Sequence, residues 1–91
     1  MKSLIQTEKE CYITQSTNNL HKHHVFPGAF RTKSEKWGMW VWLRGDWHVG
    51  EPYSIHSDEN LLIELKKQAQ IIFEEKYSHE EYMKIFKRNY L

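Results

Sequence analysis

One cysteine, Cys11, is the only thiol in this 91-residue chain. No disulfide can close within it, and no cysteine-only zinc site can form. A domain this small buries only roughly 60–65% of the surface its unfolded chain exposes, so its stability has to come from side chains packed on one another. The composition meets that demand: 40% of the residues are hydrophobic and 14% aromatic, with four tryptophans. Charged residues make up 27%, a proportion typical of folded rather than disordered chains. There is no internal repeat, low-complexity tract or linker long enough to divide the chain, so residues 1–91 read as one domain. No run of about 18 apolar residues and no signal-peptide pattern at Met1-Lys2-Ser3 is present, which makes a cytoplasmic protein without membrane spans the expectation.

Net charge is +1, but it is unevenly spread. Residues 1–45 hold seven Lys/Arg against three acids, and residues 46–91 hold six against nine. Five of the six histidines (His21, His23, His24, His48 and His56) also fall in the first 56 residues. The chain therefore divides into a basic, His- and Trp-rich region, 1–56, and an acidic region, 57–91. The near-zero net charge argues against a nonspecific nucleic-acid coat.

Region 57–91 reads as two helices. Leu61, Leu62, Leu65, Ala69, Ile72 and Phe73 recur in steps of three and four, the signature of one buried helical face. Ser57 or Asp58 can cap its start. Ser78 followed by Glu81 forms a capping-box pattern that opens a shorter helix through about Lys87, with Tyr82, Met83 and Phe86 inward. The Glu-rich faces of both helices argue against a helix-turn-helix recognition module.

Region 1–56 carries strand signals. Leu20 to Phe26 and Met39 to Leu43 are β-like runs, separated by Pro27-Gly28 and by one helical turn, Ser34 to Trp37, that Gly38 stops. Gln15 to Asn19 is a polar turn, so Cys11 to Ile13 are predicted to pair back as a third short strand. Arg44-Gly45-Asp46 reads as a tight turn, and Gly50 and Pro52 forbid a long helix after it. The predicted class is α+β, a β-hairpin packed on a long helix with a short C-terminal helix.

Strand alternation places His21 and His23 on one face of the first strand and His24 on the other. Three imidazoles within four residues are hard to explain by core packing. The open end of a hairpin can bring them towards His48 and His56, and converging neutral imidazoles are ready metal ligands. The alternative, solvated surface histidines, stays open on spacing alone.

Leu20-His21-Lys22-His23-His24-Val25-Phe26, then Arg31, Ser34-Glu35-Lys36-Trp37-Gly38, Val41-Trp42-Leu43, His48, His56 and the ending Met83 to Leu91 together resemble small phage-encoded HNH endonucleases. The resemblance implies a ββα-metal fold and hydrolysis of DNA phosphodiesters with one divalent ion (Mg, Mn, Ni or Zn), in a phage or prophage protein of a bacterial host. It assigns His23, His48 and His56 as metal ligands and His24 as the general base for the attacking water. A stiff strand suits such a base, and the ion would stabilise charge that develops in the transition state.

Two features of the pattern differ. Proteins of this kind carry a structural zinc knuckle, and its four positions here read Cys11, Thr14, Arg44 and Trp47, so no structural zinc is expected. No asparagine lies between His24 and His48 to orient the base. Trp37, Trp40, Trp42 and Trp47 can supply a compensating core, each buried ring contributing roughly 2–3 kcal/mol.

Lys22, Arg31, Lys33, Lys36 and Arg44 are the candidate phosphate contacts, with solvated loop charges as the alternative. Trp40 and Trp42 share one strand face, opposite Met39, Val41 and Leu43, and are the candidate protein contact; a two-faced apolar strand also leaves a homodimer open. The competing function is therefore a catalytically degenerate HNH-fold protein that binds a host or phage protein, in the manner of an inhibitor of a host defence nuclease (anti-CRISPR-like). Cys11 reads as a buried structural residue, and His79 as surface.

Overall fold

Two short strands form the only sheet in the computed structural model, which describes residues Met1–Leu91. Strand β1 (Leu20–His24) pairs antiparallel with β2 (Trp40–Arg44), so that His21 faces Leu43, His23 faces Val41 and His24 faces Trp40. Alternation then does the sorting. Val41 and Leu43 point inward and are fully buried, while Trp40 and Trp42 stack edge-to-face on the opposite side.

Between the strands the chain makes a 3-10 turn at Gly28–Phe30 and the short helix α1 (Arg31–Lys36). Buried Ser34 ties α1 to the end of β1: its hydroxyl donates to Phe26 O at 2.8 Å and accepts from Phe26 N at 3.1 Å. Gly38 ends this stretch at φ +69°, and a Cβ there would lie 2.5 Å from the Lys2 carbonyl oxygen, so both conformation and space require glycine.

Helix α3 (Glu59–Lys76) lays Leu65, Ala69 and Phe73 against the inner face of the hairpin. It begins two residues ahead of Leu61 because Asp58, rather than Ser57, is the cap and accepts from Leu61 N at 3.1 Å. Replacement Asp58→Ala is expected to cost about 1 kcal/mol and to lower the melting temperature by roughly 4–8 °C in a calorimetric or circular-dichroism melt. Ser78 caps α4 (His79–Phe86) by accepting from Glu81 N at 3.0 Å, and Lys87 closes that helix in the left-handed conformation, φ 65°. Tyr82 and Phe86 complete the core. Buried Gln70 clasps the C-terminal tail onto α3: its Nε2 donates to Glu74 and Asn89, each at 2.7 Å, and its Oε1 accepts from Tyr90 N at 2.8 Å.

The architecture is thus α+β, a two-stranded antiparallel hairpin with helices, as expected. Two local expectations are corrected. Cys11 to Ile13 do not form a third strand. Tyr12 N donates to Trp42 O at 2.8 Å, but Cys11 and Gln15 turn back on themselves through Gln15 N to Cys11 O, 2.8 Å, with Gln15 at φ 62°. The outer edge of β2 is already covered by side chains. Ser3 Oγ donates to Trp40 O, and Gln6 Oε1 accepts from Trp42 N at 2.9 Å, which leaves no room for a ladder. The second correction concerns the expected tight turn at Arg44-Gly45-Asp46, which is instead the start of a one-turn helix, α2 (Gly45–His48). No helix is long and apolar enough to cross a membrane.

Candidate metal centre

Three histidines from three parts of the chain meet at one end of the hairpin. His23 comes from β1, His48 from the end of α2, and His56 from the turn that precedes α3. Backbone bonds hold the last two together: Ile55 N donates to Trp47 O at 2.7 Å and His56 N to His48 O at 3.4 Å. The ring centroids lie 5.4 Å apart for His23 and His48, 5.1 Å for His23 and His56, and 4.9 Å for His48 and His56. One ligating nitrogen from each falls within 4.8 Å of the other two. The Nε2 atoms of His48 and His56 are 3.2 Å apart, close to the roughly 3.3 Å that tetrahedral zinc with Zn–N bonds of ~2.0–2.1 Å imposes.

His23 carries the strongest indication that something belongs there. It is 1% exposed, and its Nε2 is the only buried side-chain nitrogen or oxygen in the protein without a hydrogen-bond partner. A buried polar atom left unmatched costs about 1–3 kcal/mol, and such atoms are rare in folded proteins. Burial, then the neighbouring charges of His56 and His48, lower its pKa to about 3. Burial, followed by His56 and His21, lowers that of His48 to about 4. Both rings are therefore neutral at pH 7, the form in which imidazole binds metals.

The same three residues line a cleft of about 280 Å³ together with Lys22, His24, Pro27, Gly28 and Arg31, and not one lining residue is hydrophobic. His24 lies on the opposite strand face from His23, as alternation predicts, yet reaches the cleft from the end of β1. Its Nε2–H donates to Glu35 Oε1 at 3.2 Å, and the same carboxylate accepts from Lys22 Nζ at 3.0 and 3.3 Å. The bond from Lys22, followed by that from His24, lowers the Glu35 pKa, so the carboxylate is charged. Sequence reasoning missed Glu35. Its signal was the placement of Lys22 and His24 on one strand face, beneath a helical turn that offers a single acid.

The five candidate phosphate contacts separate. Arg31 lines the cleft. Lys22 is held by Glu35 and lies 4.1 Å over Trp40; Lys33 donates to Ile85 O at 3.2 Å; Lys36 lies over Trp37. Arg44 is paired with Asp46 at 2.6 Å and shares the strand face of Trp40 and Trp42, opposite to that of His21 and His23. That pairing holds the Asp46 carboxyl well below the usual carboxylate range.

The tryptophans also divide. Trp37 and Trp47 pack on the core, whereas Trp40 and Trp42 lie beneath residues 1–9. Trp40 is only 6% exposed and its indole N–H donates to Met1 O at 3.2 Å, so the expected contact face is largely covered by the chain's own N-terminal segment. Cys11 is buried, and His79 is an exposed ring bonded to Glu74 at 2.8 Å.

Comparisons with protein-family models, with curated proteins and with solved structures find no match to this chain.

Proposed function

We propose that the protein is an HNH-like endonuclease of phage or prophage origin with a ββα-metal arrangement, in which one divalent ion sits among His23, His48 and His56 and His24 is the general base for hydrolysis of DNA phosphodiesters. The observation that carries this reading is the unpartnered Nε2 of buried His23, whose ring meets those of His48 and His56 at a polar cleft that His24 also lines. Further support comes from the positions that form the zinc knuckle in such proteins. Thr14 N donates to Cys11 Sγ at 3.5 Å. Burial raises the Cys11 pKa, but hydrogen bonds from the Arg44 N–H, the Thr14 hydroxyl and the Thr14 and Ile13 N–H groups outweigh it and leave the thiol lowered, which brings Cys11, Thr14 and Arg44 together.

An ion held there supplies charge stabilisation to the phosphate and the leaving oxygen. The remaining work falls to this chain. Glu35 accepts from His24 Nε2–H, which leaves the Nδ1 lone pair of His24 to take a proton from water. In this arrangement Glu35 does the orienting that the missing asparagine would do. Arg31 offers its guanidinium to the phosphate oxygens.

The test is plasmid nicking in Mg²⁺, Mn²⁺, Ni²⁺ or Zn²⁺. Wild type is expected to cleave with at least one ion, and His24→Ala to be slower by roughly 10²- to 10⁴-fold. Equal rates in the two proteins, or no cleavage with any of the four ions, overturn the proposal.

One observation favours the second reading, a catalytically degenerate HNH-fold inhibitor of a defence nuclease. Of the five cations proposed for DNA, all but Arg31 are engaged within the chain. That reading expects inhibition of the partner nuclease to survive both His23→Ala and His24→Ala. Loss of inhibition with either substitution counts against it.

A further inference from the structure

His21 has no part in the site as described, yet it touches the middle ligand. Its Nδ1 lies 3.1 Å from His48 Nδ1, with the rings edge-to-face at 84°. On the far side of the same His48 ring, Nε2 lies 3.2 Å from His56 Nε2. A neutral imidazole has one N–H and one lone pair to share between these two neighbours. With the proton on Nε2, His48 could not share an ion with His56 and His23. With the proton on Nδ1, it must be donated somewhere, and the only ring nitrogen within hydrogen-bond distance is that of His21.

We infer that His21 is a positioning residue of the metal centre: its Nδ1 accepts the His48 Nδ1–H and so holds His48 in the tautomer whose Nε2 is free to ligate. The inference rests on the metal site proposed above.

A second feature holds His21 in that pose. Gly45, the first residue of α2, lies against the back of its ring. A Cβ on Gly45 would sit 3.1 Å from His21 Cε1 and Nε2, and 2.6 Å from Asn19 Nδ2. The Gly45 amide in turn donates to Asn19 O at 2.9 Å, which fixes the helix start against β1. Glycine therefore lets the backbone support the ring from behind, while His48 meets it in front. A ligating histidine that donates its other N–H to an acceptor is held in orientation and made more basic, and removing that acceptor typically costs 10- to 100-fold in metal affinity.

The experiment uses the full chain, stripped with EDTA and titrated with Zn²⁺ alone by calorimetry, with Co²⁺ visible absorption as a second readout. Wild type is expected to bind one equivalent and His48→Ala to lose most of the affinity. His21→Phe is expected to bind one equivalent 10- to 100-fold more weakly, and His21→Gln, whose amide oxygen can still accept, to recover most of the loss. Gly45→Ala is expected to resemble His21→Phe in affinity.

In the zinc-loaded wild type, ¹⁵N-resolved imidazole spectra are expected to show His48 protonated at Nδ1. This last measurement needs no variant and so stands whether or not the variants fold. Wild-type binding with undiminished affinity in His21→Phe, or His48 protonated at Nε2, overturns the role of His21 while leaving the metal site intact. A second equivalent of zinc lost in His21→Phe makes His21 a ligand and overturns it too. No binding by wild type, or full binding by His48→Ala, removes the metal site and the inference together.

Discussion

Replacing His23 with leucine is expected to make the metal-free protein more stable and to abolish the stabilisation that zinc gives the wild type. His23 occupies a fully enclosed position beneath the cleft, and its Nε2 has no partner there. Removing a buried polar atom that nothing satisfies, while keeping similar volume, should recover about 1–3 kcal/mol. Zinc at about 100 times its dissociation constant should stabilise the wild type by about 2.7 kcal/mol, or roughly 10–20 °C in a domain of this length, and should not stabilise His23→Leu.

The same substitution changes the acid response of the metal-free protein. The folded wild type holds His23 at a pKa of about 3, well below the ordinary 6.5. Below pH 6.5 the unfolded chain therefore binds a proton that the folded one refuses, and stability falls as pH drops from 6.5 towards 3. By pH 5 this single group accounts for a loss of about 2 kcal/mol, and His23→Leu should be spared it. Thermal melts in EDTA and in zinc, at pH 7 and pH 5, read all of these outcomes. A leucine variant less stable than wild type without metal, or one that zinc still stabilises, contradicts the account of His23 as an unmet ligand.

Phe73→Ala is expected to bring the protein close to unfolding at room temperature. Phe73 is completely enclosed and sits between the two C-terminal helices and α1, with ring centroids 4.7 Å from Tyr77, 5.7 Å from Phe86, 5.8 Å from Trp37 and 6.0 Å from Tyr82. Truncating such a ring costs about 3–5 kcal/mol through lost burial and the cavity left behind. A chain of this size holds only about 5–14 kcal/mol in total. Urea unfolding should show the midpoint falling by about a fifth or more, and near-ultraviolet circular dichroism from Trp37 should weaken. Phe73→Leu, which refills most of the space, should lose less than half as much. Equal midpoints for Phe73→Ala and wild type would show that the aromatic cluster contributes little.

Where local rules decide, the sequence was readable. Steps of three and four from Leu61 to Phe73 marked α3, and Ser78 with Glu81 marked the start of α4, because capping and amphipathic spacing are short-range. Alternation alone assigned His21 and His23 to one side of β1 and Trp40 and Trp42 to one side of β2. That the open end of the hairpin could bring the β1 histidines towards His48 and His56 was legible from the strand pattern, and the rings of His23, His48 and His56 do meet.

What escaped depends on contacts between distant segments. Nothing local to Ser3 and Gln6 announces that their side chains will complete the bonding of Trp40 and Trp42, thirty-six or thirty-seven residues away. That edge cover also displaced the expected third strand at Cys11 to Ile13. Engagement of Lys22, Lys33, Lys36 and Arg44 inside the chain was invisible for the same reason. A lysine bonded to a carboxylate is spelled like a free one.

The cover that Ser3 and Gln6 place on β2 bears on how two molecules could associate. Growth of the ribbon by an incoming strand is blocked on that flank, so edge-on polymerisation can proceed only from β1. That remaining flank borders the polar cleft through Lys22, His23 and His24. Two copies zipped together there would close that cleft, which sets a dimer built by strand addition in direct competition with anything that enters it.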